Sequence, residues 1–325
     1  MLKKLLIIIT IWSYAVNVNA QTKAIPVIFD TDMATDYDDI GAITLLHYYA
    51  GHGQAKILAT IANTKYPRVA AVLSVMNTYF KGPDIPIGVS TGVASIDSDS
   101  QKWSDTLVAK YPHKIRSNDQ AMDAVKLYRK VLASQPDNSV TIISVGFFVN
   151  IANLLQSPPD EYSPLNGQQL VDKKVKRLVA MAGKFPSGWE YNLGQFAAAS
   201  IYVFAHWTKP VIFSGFEIGE KIHSGLPLIH DDKIQNDPTK DVFRISIPQA
   251  KEDVNGRMSW DETAVFVAIH GPAPYYTLKC GRVKVNADGS NTWERTGHQK
   301  YLVAVRPPAE VEKIINNLMM YQPKN

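Results

Sequence analysis

Five carboxylates stand within ten residues near the start of the chain: Asp30, Asp32, Asp36, Asp38 and Asp39. Two carboxylates about 4 Å apart repel by roughly 4 kcal/mol at an effective dielectric near 20. A group this dense needs a cation, a shared proton or solvent between its members. The donors are all oxygen, and no Cys or His pair stands nearby, which favours Ca²⁺ or Mg²⁺ over zinc. Read alone, the run also suits a solvated acidic turn in which Asp38 or Asp39 caps a helix.

The flanking residues decide how such a group is held. Val27, Ile28 and Phe29 form a short apolar run that reads as a buried strand. Residues 40–49 read as an amphipathic helix. The carboxylates therefore sit in a strand–loop–helix unit, and ligands of open α/β sheets bind at the carboxyl ends of strands. The alternation continues down the chain. Strands are expected at 57–61, 85–89, 140–145, 175–181 and 210–213. Helices are expected at 67–80, at 119–135 with Ser117 or Asn118 near its cap, and at 148–156, 196–207, 260–270 and 307–320. Residues 95–103 form a polar stretch too long for a tight connection, the kind that often serves as a lid or binding loop. Residues 226–256 are a connection rich in Pro and Asp. Arg282 to Val285 and Thr292-Trp293 flank an Asp-Gly turn and read as a hairpin. This rhythm predicts an α/β fold, an open and mostly parallel doubly wound sheet with a C-terminal β-hairpin addition.

Bulk properties narrow the class. Residues 1–20 carry a basic start, an apolar run and Val18-Asn19-Ala20, which fits a secretory signal peptide cut after Ala20. The apolar run is short of the roughly 20 residues a membrane span needs. A secreted or periplasmic protein is expected, with residues 21–325 as a single α/β domain. The first twenty residues hold two Lys and no acid, so cleavage brings the formal charge from +4 to +2. That is too weak to imply nucleic acid, and no membrane association is expected after cleavage. Cys280 is the lone Cys, so no intrachain disulfide forms, and a buried, inert thiol is expected.

Five stretches in order resemble the inosine/uridine-preferring nucleoside hydrolases. The first is Asp30-Thr-Asp32 followed by Asp38-Asp39 at a helix start. The second is Ala59-Thr60-Ile61-Ala62-Asn63 at the end of a strand. The third is Ser144-Val145-Gly146-Phe147-Phe148 at a strand-to-helix turn. The fourth is the loop Met181 to Asn192, and the fifth is the helix start Ser259-Trp260-Asp261. The resemblance spans about 27–269 and leaves the hairpin outside. The chain departs from the family pattern in places. The acidic loop has two more residues and Ala34 where Gly is usual. Lys184 stands where an Asn is common, and Trp260 where many members carry His.

The resemblance implies Ca²⁺ held by Asp32, Asp39, Asp261 and the Val145 main-chain carbonyl. It implies hydrolysis of the N-glycosidic bond of ribonucleosides by calcium-bound water, with Asp32 as the base. Asp38 would hold the ribose 2′- and 3′-hydroxyls, Asn63 would orient the water and ribose, and Glu190 and Asn192 would bind the sugar. Asp30 would support the loop from behind. Trp260 would stack on the base, with Trp103 or Trp189 as a second ring, which favours purine nucleosides. By family analogy the chain forms a homodimer or homotetramer and takes a small-molecule nucleoside as substrate. Two alternatives stay open. One is a non-catalytic ribose- or nucleoside-binding protein. The other is a haloacid-dehalogenase-type phosphatase, which Asp30-Thr-Asp32 after a strand also resembles.

Overall fold

The computed structural model describes residues 23–34 and 36–323. The expected signal peptide, residues 1–20, lies outside the described residues. Among the described residues no helix is long and apolar enough to cross a membrane.

The strands are β1 (Ile25–Thr31), β2 (Ala55–Ala62), β3 (Ile87–Val89), β4 (Met122–Asp123), β5 (Val140–Val145), β6 (Val175–Met181), β7 (Ser187–Trp189), β8 (Val211–Ser214), β9 (His223–Ser224), β10 (Arg257–Met258), β11 (Tyr276–Val285) and β12 (Ser290–Ala304). Ten of them form one sheet in the order β11-β12-β8-β6-β5-β1-β2-β3-β4, with β7 on β12. From β12 to β4 every neighbouring pair is parallel, while β11 and β7 run antiparallel to β12. The remaining two, β9 and β10, make a small separate ribbon.

The central strands are apolar on both faces because both faces are covered. Val27 and Phe29 of β1 enter one core, and Ile28 enters the other. In β5, Ile143 and Val145 join the first core, and Val140 and Ile142 the second. The helices Asp38–Gly51, Val69–Tyr79 and Trp260–His270 cover the first face. The helices Ala124–Ala133, Val149–Gln156 and Ala197–His206 cover the second.

Strand order reverses at β1. The chain runs outward from β1 through β2 and β3 on one side, then returns to β5 on the other. This is a topological switch point, where a crevice opens beyond the strand ends. Register fixes its floor. Thr31 lies opposite Ala62 of β2 and Val145 of β5, so Asp32, Asn63 and Gly146 follow the sheet edge at one level. Gly146 has no room for a side chain. A Cβ there would stand 2.5 Å from the Asp32 nitrogen and 2.7 Å from Asn63 Nδ2.

Several local expectations are corrected. The fourth long helix begins at Ala124, capped by Asp123. Asn118 instead braces the 65–70 segment. Its Nδ2 donates to the Tyr66 carbonyl (2.8 Å), and its Oδ1 accepts from the Ala70 N–H (3.2 Å). The connection 226–256 holds the helices Leu226–His230 and Pro238–Ser246. The expected C-terminal hairpin is present as β11 and β12, and β12 also continues the parallel sheet beside β8 and pairs with β7. Cys280 is exposed on the edge strand β11, because alternate residues of an outermost strand face solvent.

One buried residue of the first core sets a pH dependence. His47 is 4% exposed, stacks on Phe80, and donates from Nε2 to Asn77 Oδ1 (3.1 Å). Burial lowers its pKa from 6.5 to about 4. Between those values the unfolded chain binds a proton that the folded chain does not. Stability from this residue is therefore complete above about pH 6.5 and is lost as pH falls to about 4, by about 3 kcal/mol at most. Urea unfolding at pH 7 and pH 4.5 should show wild type losing more stability than His47→Gln. An equal loss in the two proteins would assign the acid sensitivity to other groups.

Candidate functional site

Two helix starts converge above the switch point. The helix Asp38–Gly51 carries Asp38 and Asp39 in its first turn, and Trp260–His270 carries Asp261 and Glu262. Helix N-termini favour negative charge. The fold thus draws together carboxylates more than two hundred residues apart. Ligand oxygens of Asp32, Asp39 and Asp261 all lie within 4.8 Å of one another, and none of the three residues is more than 6% exposed. Burial raises all three carboxyl groups well above the usual range. Next in effect are Asp39 on Asp32, Asp38 on Asp39, and Asp38 on Asp261.

The neighbouring acids are already committed. Asp30 is fully buried and accepts from Asn63 Nδ2 (2.7 Å), Tyr128 Oη (2.6 Å) and Asn150 Nδ2 (3.3 Å). Burial pushes its carboxyl up to about 7, against the pull of those three donors. Asp38 Oδ1 accepts from Arg257 Nε (3.2 Å) and Nη2 (3.0 Å), and its Oδ2 accepts from the Asp261 N–H (3.3 Å). Arg257 also pairs with Asp36 at 2.6 Å and lies 3.6 Å from Asp253. Asp39 accepts from Thr31 Oγ1 through Oδ1, while its buried Oδ2 has no hydrogen-bond partner. Asp32 makes no hydrogen bond to another side chain among the described residues and faces the cleft.

The three clustered carboxylates fit a hard divalent cation. Their donors are oxygens, they are buried together, and one oxygen lacks any partner. Arg257 offsets Asp36 and Asp38, and among the described residues no cation pairs with the three clustered carboxylates.

A cleft of about 170 Å³, open to solvent, lies above them. Its walls are Asp32, Asp36, Asp38, Val145, Met181, Trp189, Glu190, Tyr191, Asn192, Phe216, Trp260 and Asp261. Of the expected site residues, Asp32, Asp38, Val145, Glu190, Asn192, Trp260 and Asp261 reach it, and Asp39 lies in the cluster at its base. Asn63 does not line it. Its amide is spent on Asp30 and on accepting the Phe147 N–H (3.2 Å), so it buttresses the floor.

Glu190 lines the cleft but is also a cap. Its carboxylate accepts from the N–H groups of Gly183 (2.7 Å), Asn192 (2.7 Å) and Leu193 (3.1 Å). These bonds shape the loop that presents Asn192. Asn192 Nδ2 donates to the Met181 carbonyl (3.1 Å) and leaves its Oδ1 for the cleft.

The aromatic wall differs from expectation. Trp103 is completely buried at the start of the helix Trp103–Lys110, within the first core. Trp189, half exposed, lines the cleft instead. Trp260 donates from Nε1 to the Phe216 carbonyl (3.0 Å), and the two rings lie 5.1 Å apart. They are already in contact and leave no gap for a third ring between them. The Arg257 guanidinium sits 5.1 Å over Trp260 as well. Sequence reasoning missed Phe216, Tyr191 and Arg257. Phe216 carries no local motif, Tyr191 stands in the Met181–Asn192 loop between the two residues singled out there, and Arg257 opens the two-residue strand β10, which has no sequence signal of its own.

A family profile described as inosine-uridine preferring nucleoside hydrolase matches residues 27–316. The chain belongs to this family. The match runs through the hairpin, which corrects the expectation that the hairpin lies outside. No curated protein matches the chain. Solved structures share the fold at low identity. A purine-preferring ribonucleoside hydrolase from Gardnerella vaginalis is 16% identical, with a TM-score of 0.69 over 91% of this chain and 99% of that one. An inosine-uridine preferring nucleoside hydrolase from Bacillus anthracis is 14% identical, with a TM-score of 0.68 over 91% and 99%. The type III effector protein XopQ, complexed with adenosine diphosphate ribose, is 13% identical, with a TM-score of 0.68 over 92% and 93%. The mostly parallel sheet with flanking helices is the nucleoside hydrolase fold.

Proposed function

We propose that this nucleoside hydrolase cleaves the N-glycosidic bond of ribonucleosides, purine nucleosides preferentially, and that Ca²⁺ is its metal. One observation carries the reading. Asp32 is the acidic-loop carboxylate that borders both the cleft and the three-carboxylate cluster without a structural partner. Asp30, Asp36 and Asp38 are each tied to the protein.

The roles follow from what each group has free. Asp32, Asp39, Asp261 and the Val145 carbonyl would hold the cation. When bound, such a cation makes water more acidic and polarises sugar oxygens. Asp32 takes the proton of the attacking water. Asn192 accepts a ribose hydroxyl at Oδ1, and Asp38, oriented by its hydrogen bonds from Arg257, accepts the ring diol. As the bond to the base breaks, C1′ gains positive charge, and the buried carboxylates around it favour that charge. Trp260 and Phe216 form one stacking platform, and Trp189 and Tyr191 also line the cleft. An extended aromatic wall suits the larger face of a purine.

Release of free ribose should be followed over a panel of inosine, guanosine, adenosine and uridine, with Ca²⁺ or a chelator. Purine nucleosides should turn over faster than uridine, and only with metal. Binding without ribose release would establish a binding protein. Phosphate release from nucleotides would favour the phosphatase. A marked uridine preference would reject the purine assignment.

A further inference from the structure

Arg257 stands between the two helix starts and grips both. The small ribbon beside the main sheet delivers it, since Arg257 of β10 lies opposite Ser224 of β9. Gly256, just before it, has φ +103°, and a Cβ there would stand 2.8 Å from the Ser224 carbonyl oxygen. The turn into the ribbon therefore needs glycine. The Arg257 side chain is 6% exposed. Its guanidinium lies 5.0 Å from the centroid of the Tyr37 ring and 5.1 Å from that of Trp260. Tyr37 directly precedes Asp38, and Trp260 directly precedes Asp261. Asp36, Asp38 and Asp253 pair with the guanidinium at 2.6, 3.0 and 3.6 Å. Asp253 is held in turn by Tyr37, whose Oη donates to its Oδ2 (2.5 Å).

The two oxygens of Asp38 are used unequally. Oδ1 accepts from Arg257 Nε (3.2 Å) and Nη2 (3.0 Å), while Oδ2 accepts from the Asp261 N–H (3.3 Å). A carboxylate oxygen has room for about two donors, so Oδ1 is filled and Oδ2 keeps a place. Asp38 lines the cleft and Arg257 does not. The arginine thus determines which Asp38 oxygen a ligand meets and in which plane. A planar guanidinium can fix a carboxylate plane through two nitrogens, and an ammonium, being a point charge, cannot.

We propose that Arg257 is a positioning residue that makes the site select ribosides over 2′-deoxyribosides, by presenting Asp38 Oδ2 to the sugar diol in one fixed direction. The proposal deepens the hydrolase reading and rests on it for Asp38 as the partner of the diol. The interaction at stake is a hydrogen bond to a charged acceptor, which is about tenfold or more in affinity.

The test uses ribose and 2-deoxyribose as probes at saturating Ca²⁺, so it does not depend on turnover. Calorimetry should show the wild type binding ribose at least about tenfold tighter than 2-deoxyribose. Arg257→Met should weaken ribose to near 2-deoxyribose and leave 2-deoxyribose near its wild-type affinity. Arg257→Lys keeps the charge and loses the fork, and should cut the ratio about threefold or more. Arg257→Met strips three acids of their counter-charge, so thermal unfolding is followed for each variant, and Arg257→Lys decides if the Met variant does not fold. A purely structural role weakens both sugars alike and keeps the ratio. A wild-type ratio in folded Arg257→Lys therefore overturns the proposal, as does equal or absent binding of the two sugars by the wild type. The hydrolase reading is judged separately, by ribose release from nucleosides. Ribose release together with an unchanged ratio in Arg257→Lys leaves that reading standing and removes this one.

Discussion

Asp32→Asn is expected to lower the turnover of inosine at least about a hundredfold, the lower scale of general acid–base catalysis. The substitution keeps the shape of the side chain and removes its negative charge. Wild-type Asp32 is 6% exposed and has no hydrogen bond to another side chain among the described residues, so little of the fold depends on it. Its oxygen also lies within 4.8 Å of Asp39 and Asp261 oxygens, so metal occupancy must be measured in the same samples. A large loss of turnover at full occupancy identifies the base. A loss that saturating Ca²⁺ reverses identifies a ligand. Turnover near wild type would show that another group takes the proton. Asp38 is the next candidate, and its carboxylate is already bonded to Arg257 and the Asp261 N–H.

Much of this site was readable in the sequence, and the reason is local. The acidic run follows an apolar strand and opens a helix, and those three signals fall within about twenty residues. The helix Trp260–His270 was equally legible from its apolar content and the acids in its first turn. What was not legible depends on contacts far apart in sequence. Arg257 meets Asp38 across 219 positions. Nothing around it marks a counter-charge for the acidic loop. Asn63 reads as a free amide at a strand end, but Asp30 and the Phe147 N–H consume it. Trp103 sits in a polar stretch, which suggested exposure. The helix it begins turns the ring into the core. The hairpin signal was clear, but the pairing of β12 with β7 and β8 was not, because strand neighbours in a crossover sheet are set by packing. That pairing brings Asn291 to Lys184 and shapes the loop that carries Glu190 and Asn192.

Metal removal should be the other large effect, on activity and on stability together. Each pair of ionised carboxylates in the cluster at about 4 Å costs roughly 4 kcal/mol at an effective dielectric near 20. Without a cation the cluster must take up protons or remain strained, and Asp39 Oδ2 has no donor to relieve it. Chelation is expected to abolish ribose release and lower the melting temperature, and added Ca²⁺ to restore both. Calcium at a hundred times its dissociation constant stabilises by about 2.7 kcal/mol. For a chain of this size that is a shift of several degrees, at roughly 2–4 °C per kcal/mol. Asp39→Asn separates a metal site from ordinary packing by the sign of its effect. Removing one of three like charges should raise the melting temperature of the metal-free protein while erasing the calcium-induced shift. A mere packing role for Asp39 predicts lower stability under both conditions and an intact calcium shift. Full activity of protein shown by elemental analysis to be metal-free would reject the cation altogether, and the three buried carboxylates would then have to share protons.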